Sequence, residues 1–380
     1  MSIYVVKPKD RVSSIAERFS LSEEQIIFDN QLISPYTLAI GQALYLAEPK
    51  SSSLSPMFRS SGYAYPFISR WVLQNTLPFL TVLNIFSYGF TLDGHLIPPA
   101  WDDLPLIEAA RSGGTLPVLT LTPLDVNGRF NNLLIHSVVS TPAYREQLFS
   151  ELSLMVTEKD YAGIDIDFEY ILKEDRDDFT EFAEALTQQM RRIGRFVSIA
   201  LAPKTSKDQQ GLLYEGKDYA ALGQVTDHVF LMTYEWGYKY GPNMAVAPIN
   251  LVRRVAEYAI TEIPPKKISL GIPNYGYDWP LPYIKNETVA RTIGNVEAVQ
   301  IAIRNGASIS FDETAMSPYF QYMSEDVLHE VWFEDVRSLS AKFDLIRELG
   351  LEGAGFWQIN QLFRANWLLW EEQMGSSMTG

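Results

Sequence analysis

The chain has 380 residues, 47% of them hydrophobic and 20% charged, which describes a folded globular protein with room for one large core and an accessory domain. Its formal net charge of -15 opposes nucleic-acid binding, and the absence of cysteine rules out disulfides, thiolate metal sites and thiol catalysis. No apolar run is long enough to cross a membrane, and the start "MSIYVVKPKD" carries no secretory signal.

The first 49 residues form a self-contained unit. "IYVVKP" reads as a strand, "RVSSIAERF" as an amphipathic helix, and "SEEQIIFDN" as a second helix capped by Ser22. "LAIGQALYLAEP" supplies a closing strand. This βααβ order, the Asn of "DNQL" and the late "GQALYL" resemble the LysM module. That resemblance implies binding of glycans that contain N-acetylglucosamine, peptidoglycan or chitin. The alternative is a small cap without a ligand.

Residues 50–61, "KSSSLSPMFRSS", are Ser-rich and lack periodicity, so they are expected to be a linker with few contacts across it. From residue 62 to 380, apolar strand-like runs alternate with helical ones. The strand candidates are "GYAYPF", "LTVLNIFSYGF", "LPVLTLT", "AGIDIDFEY", "RFVSIALAP", "DHVFLMTYEW", "KKISLGIPNYGYDW" and "EGAGFWQIN". Eight such units predict an α/β fold, a (β/α)8 TIM barrel. The longest gap, between the seventh and eighth strands, predicts a small α+β insertion at about 280–335.

The fourth candidate concentrates the chemistry. In "GIDIDFEY", Asp165, Asp167 and Glu169 alternate with Ile164, Ile166 and Phe168, so all three carboxylates emerge on one face of a strand. Side chains at the C-terminal ends of barrel strands do the work of such folds. Crowded carboxyls in a poorly hydrated cavity cannot all ionise, and crowding therefore yields a proton donor. A solvated acidic edge strand conflicts with the apolar flanks. A divalent-cation site would need further ligands at other strand ends, and none stands out, so no metal is expected.

The same strand resembles the D-G-x-D-x-D-x-E signature of glycoside hydrolase family 18. Gly163, Asp165, Asp167 and Glu169 match, and Ala162 stands where the leading Asp would be. "FLMTYEW" resembles the family's sixth strand, with Met232, Tyr234 and Glu235, and "GFWQ" its eighth, with Trp357. "PKTS", "YEWGY", "YGYDW" and "HEVWFED" resemble the spore-cortex-lytic N-acetylglucosaminidases of endospore-forming bacteria. The resemblance implies substrate-assisted, retaining hydrolysis of a β-N-acetylglucosaminide without a cofactor. Glu169 would be the general acid, Asp167 would hold the acetamido N–H, and Asp165 would share a proton with Asp167. Tyr234 would orient the acetamido oxygen, and Trp357 would floor the −1 sugar. Tyr88, Asn274, Tyr275 and Tyr277 are candidate subsite contacts, and Tyr319, Tyr322 and Trp332 of the insertion could wall the groove.

The partner implied is peptidoglycan, the spore cortex or its fragments, met during germination by a monomer. The protein would be made in the mother cell and associated with the spore coat and cortex. A chitinase is the alternative enzyme. An idle glycan-binding lectin is the alternative class, and the presence of both Glu169 and Asp167 argues against it.

Overall fold

The computed structural model describes residues 2–47 and 58–375. Strand Ser2–Val5 pairs antiparallel with Ala43–Leu46, and helices Val12–Phe19 and Glu23–Asp29 lie between them. Ser22 accepts from the Gln25 N–H at 3.0 Å, filling one of the donors that every helix start leaves open. Tyr4, Val12, Ile15, Ile26, Leu44 and Leu46 form the module's own core. Asn30 ties its parts together. Its Nδ2 donates to the carbonyls of Ile26 and Tyr45, and its Oδ1 accepts from the Tyr45 N–H at 2.7 Å.

This module is docked on the barrel, contrary to the expectation of few contacts. Arg364 stacks its guanidinium 4.1 Å over Phe28 and approaches Asp29 at 3.3 Å, while its N–H donates to Gln31 at 2.7 Å. The Tyr45 hydroxyl donates to Glu372 at 2.7 Å, and the Ile309 N–H donates to the Ile40 carbonyl at 2.8 Å. At Gly41 any Cβ would stand 1.8 Å from the Ile309 carbonyl oxygen, and φ is +83°, so the approach is fitted to glycine. A Ser-rich joint says how freely two bodies could move, not whether their surfaces match. Its residues 50–57 lie outside the described residues; Phe58 onward already belongs to the barrel, whose first strand starts at Arg59 rather than at residue 62.

The eight barrel strands are Arg59–Ala64, Val82–Phe90, Leu116–Leu121, Gly163–Ile166, Phe196–Leu201, His228–Leu231, Ile268–Pro273 and Gly353–Trp357. Each is parallel to the next, and Arg59–Ala64 pairs with both Val82–Phe90 and Gly353–Trp357, which closes the barrel. Helices such as Pro142–Glu158, Arg176–Arg192, Ile249–Glu262 and Val336–Leu349 cover the outside. One continuous core fills the layer between strands and helices, including Ile164, Ile166 and Phe168 from the carboxylate strand.

Several strands are shorter than their patterns, the sixth among them, which stops at Leu231. The fourth ends at Ile166, although the Asp167 N–H still donates to the Leu121 carbonyl at 2.9 Å and so keeps the alternation going. "IPNYGYDW" is not one strand. The chain leaves the barrel at Pro273 and begins the insertion at Gly276 rather than at about residue 280. The insertion is a five-stranded antiparallel sheet in the order Arg291–Ile293, Gly276–Leu281, Val327–Trp332, Ser317–Ser324, Ser310–Asp312, with helix Asn295–Arg304 packed on it.

Candidate active site

The three acids lie in a row on the inner side of the fourth barrel strand and its exit. Asp165 is 1% exposed and accepts two hydroxyls, from Ser198 at 2.5 Å and from Tyr63 at 2.9 Å. Burial raises its pKa, while the two hydroxyls and the charge of Arg59 hold the rise back. Both oxygens are thereby occupied. The partners of Asp165 are hydroxyls of the first and fifth strands, where the sequence reading looked to Asp167. Ala162 contributes only backbone bonds, to Pro117 and Phe196, so Asp165 is the lowest of the carboxyls.

Asp167 is also buried, and its Oδ1 has no hydrogen-bond partner among the described residues. Its pKa is raised well above the ordinary carboxylate value by burial, then by the charges of Glu169 and Asp165. Glu169 is half-buried at the mouth, and burial raises its pKa while Lys217 opposes the rise. An unsatisfied buried acceptor beside a raised acid is an arrangement waiting for a donor. An amide N–H of a bound molecule would supply one to Asp167.

The sixth strand ends at Leu231 and is followed by Met232, Thr233, Tyr234 and Glu235. Met232 and Tyr234 pack against an aromatic group of Tyr63, Phe86, Phe230 and Trp357 inside the barrel mouth. Burial and the neighbouring carboxyls keep the Tyr234 phenol far above its ordinary pKa, so it stays a hydrogen-bond donor. Trp357, half-buried at the end of the eighth strand, stands nearly perpendicular to Phe86, with ring centres 4.9 Å apart and planes at 77°. It also touches Tyr63, at 5.5 Å between centres. The Glu235 backbone has φ +68°, and its carboxylate accepts from the hydroxyls of Tyr275 and Tyr277. Burial of that carboxyl raises its pKa and the two phenols temper the rise.

The remaining candidates divide. Tyr275 and Tyr277 approach the site through Glu235. Tyr319 stacks on Trp332 at 4.5 Å and joins the group bordering Tyr234 and Trp357, whereas Tyr322 packs within the insertion and donates to Asp278. Asn274 is a strut: its Nδ2 donates to the carbonyls of Gln358 at 3.0 Å and Gln361 at 2.9 Å, fixing the turn after Trp357. Tyr88 is not at the site at all. It is fully buried towards the helices, with its hydroxyl on the Asp103 carboxylate and Lys159 Nζ 3.1 Å away. Leu83 and Ile85 face outward, and strict alternation would turn residue 88 inward. The register shift between Ile85 and Tyr88 reverses the facing.

Three contributors escaped the sequence reading. Tyr63 and Ser198 sit inside quoted strands, and the alternation that put Asp165 inward puts them inward too. Lys217 lies in the loop "YEGKDY" and has no periodic signal. Its ammonium donates to the Glu169 carbonyl at 2.5 Å.

A model of glycosyl hydrolases family 18 matches residues 125–361, from the end of the third strand to beyond the eighth. The chain belongs to glycoside hydrolase family 18. A LysM domain model matches residues 4–47, the docked module. Among relatives of this family-18 chain, the cortical fragment-lytic enzyme of Bacillus subtilis (strain 168) is 38% identical over 425 aligned residues, which cover 98% of each chain. The crystal structure of the Bacillus megaterium QM B1551 spore cortex-lytic enzyme SleL superposes with a TM-score of 0.91 at 30% identity, covering 98% of this chain and 97% of that one. The Bacillus cereus spore cortex-lytic enzyme SleL gives a TM-score of 0.91 at 31% identity, covering 98% and 99%. Family-18 membership makes the protein a glycoside hydrolase, and the matched segment contains the acid row.

Proposed function

We propose that the protein is a retaining, substrate-assisted β-N-acetylglucosaminidase that cuts spore-cortex peptidoglycan or its fragments during germination. The observation that carries this reading is the pair Asp167 and Glu169, both with raised pKa, one with an orphaned buried oxygen and the other at the open mouth. Glu169, protonated, gives its proton to the glycosidic oxygen as that bond breaks. The 2-acetamido carbonyl oxygen of the −1 sugar attacks the anomeric carbon and forms an oxazolinium ion. Asp167 accepts the acetamido N–H through its free oxygen and offsets the positive charge. Tyr234 donates to the acetamido oxygen, and Trp357 forms the floor under the ring. Glu169, now a carboxylate, takes a proton from the water that opens the oxazolinium, so configuration is retained.

The cortex is the favoured substrate because relatives aligned over nearly the whole chain are named for cortical fragments and cortex lysis. The LysM module supports a glycan partner containing N-acetylglucosamine. The same relatives support association with the spore, and the chain is taken to act as a monomer. Incubation with muramidase-digested cortex and with chitin hexamer, followed by mass spectrometry, tests the assignment. Products ending in reducing N-acetylglucosamine from cortex fragments are expected, and a strong preference for chitin hexamer would replace the reading with a chitinase.

A further inference from the structure

Lys217 lies in the loop between strand Phe196–Leu201 and helix Tyr219–Val225 and is 1% exposed. An ammonium so buried is costly unless something pairs with it. Its hydrogen-bond partner is a neutral group, the backbone carbonyl of Glu169 at 2.5 Å. The charges that face it are Glu169 and Asp167 on one side and Lys204 on the other.

The surrounding loop is built to keep it there. Lys204, itself 2% exposed, donates from Nζ to the Lys217 carbonyl at 3.0 Å and to the Lys207 carbonyl at 3.2 Å. The Tyr219 hydroxyl accepts from the Lys204 N–H at 3.0 Å, and Arg176 pairs with Asp218 at 2.5 Å. At Gly216 a Cβ would stand 2.3 Å from the Ile171 carbonyl oxygen, so the two loops touch backbone to backbone. The Lys217 ammonium reaches the exit of the acid strand at the Glu169 carbonyl.

Resting on the functional reading above, the geometry points to Lys217 as a positioning residue for the acid pair. Its ammonium pins the Glu169 main chain and supplies the buried positive charge against which Asp167 and Glu169 share one negative charge. Five acidic or phenolic groups crowd the mouth: Asp165, Asp167, Glu169, Tyr234 and Glu235. Without an opposing cation, the pair would hold both protons further up the pH scale, and Asp167 would be neutral when the oxazolinium needs its charge. Linkage makes the coupling mutual, and burial pulls the Lys217 ammonium down to about 8 against the two carboxylates that hold it up.

Two measurements test this. In Lys217→Met, the stem is kept and the charge removed, so both limbs of the pH–rate profile on cortex fragments should move to higher pH by about one unit, the lower end of what a close opposite charge produces. A folded Met variant with an unmoved profile overturns the proposal. The second measurement needs neither that variant nor activity: lysine-labelled protein is titrated by NMR as wild type and as Glu169→Gln. The Lys217 midpoint should fall in Glu169→Gln, because a stabilising carboxylate is gone, and an unmoved midpoint overturns the proposal as well. Wild-type protein that cuts none of the glycans would sink the functional reading, while the NMR titration would still report on the coupling.

Discussion

Asp165 and Ser198 are register partners on adjacent parallel strands, and the serine hydroxyl closes on the carboxylate at 2.5 Å. The bond crosses the barrel wall at the level where the acid row begins. Ser198→Ala should leave a buried carboxylate oxygen short of a donor and lower stability by about 1–3 kcal/mol at neutral pH. Denaturant unfolding of the two proteins checks this, and an identical midpoint would show that the hydroxyl contributes nothing. Tyr63→Phe should have a similar effect, because it removes the second hydroxyl.

Glu169→Gln preserves shape but cannot give up a proton. Turnover should fall by ~10² to 10⁴ while the fold is kept. Single-turnover rates on soluble cortex fragments provide the readout. Near wild-type rates would assign the acid elsewhere.

Asp167→Asn separates stability from activity. A carboxyl whose pKa is raised in the folded state costs stability once pH passes its unfolded value, about 3.9, and the cost grows as pH climbs through the folded value. The Asn variant removes that cost. It should melt higher than wild type at pH 7, and the gain should disappear only as pH falls well below about 3.9, where Asp167 is protonated in both states. Calorimetry across that range decides, and a variant that melts lower at pH 7 contradicts the sign. Turnover should fall in parallel, because the charge opposite the oxazolinium is gone.

Substrate assistance makes the acetamido group part of the reaction. A glycan with a free hydroxyl in place of the 2-acetamido group should be inert to the wild type. Ready cleavage, detected by reducing-end assay, would exclude the oxazolinium route.

Arg364→Ala tests the docking of the module. It removes the cation over Phe28 and the ion pair with Asp29, an effect of about 1 kcal/mol, which corresponds to a fall of roughly 2–4 °C in the melting transition. An unchanged transition would mean that the contact is an ornament of the surface.

Much of this was legible in the sequence because period and position coincide. The alternation of Asp165, Asp167 and Glu169 fixes their common face, and that inference survives even though formal strand geometry stops at Ile166. Tyr88 shows the limit: its facing depends on a register shift in the second strand, which leaves no mark on residue type. The end of the seventh strand was blurred for a related reason. "IPNYGYDW" is β-prone throughout, and only the departure after Pro273 assigns its second half to the insertion. Lys217 is invisible for a different reason. A lone lysine in a polar loop reads as solvent-exposed, and its burial follows from the loop's fit against Gly216 and Lys204. Module docking depends on surface match between distant segments, Phe28 with Arg364 and Ile40 with Ile309, which no local pattern encodes.

That docking also changes how the two halves would share one glycan strand. A tethered module sweeps a volume and dilutes its cargo through it, whereas a docked one presents its cargo at a single distance and angle. On the function proposed above, sites on the strand that match this spacing would be favoured over the others. The contact of Arg364 with Phe28 would then fix the distance between the two glycan-handling parts.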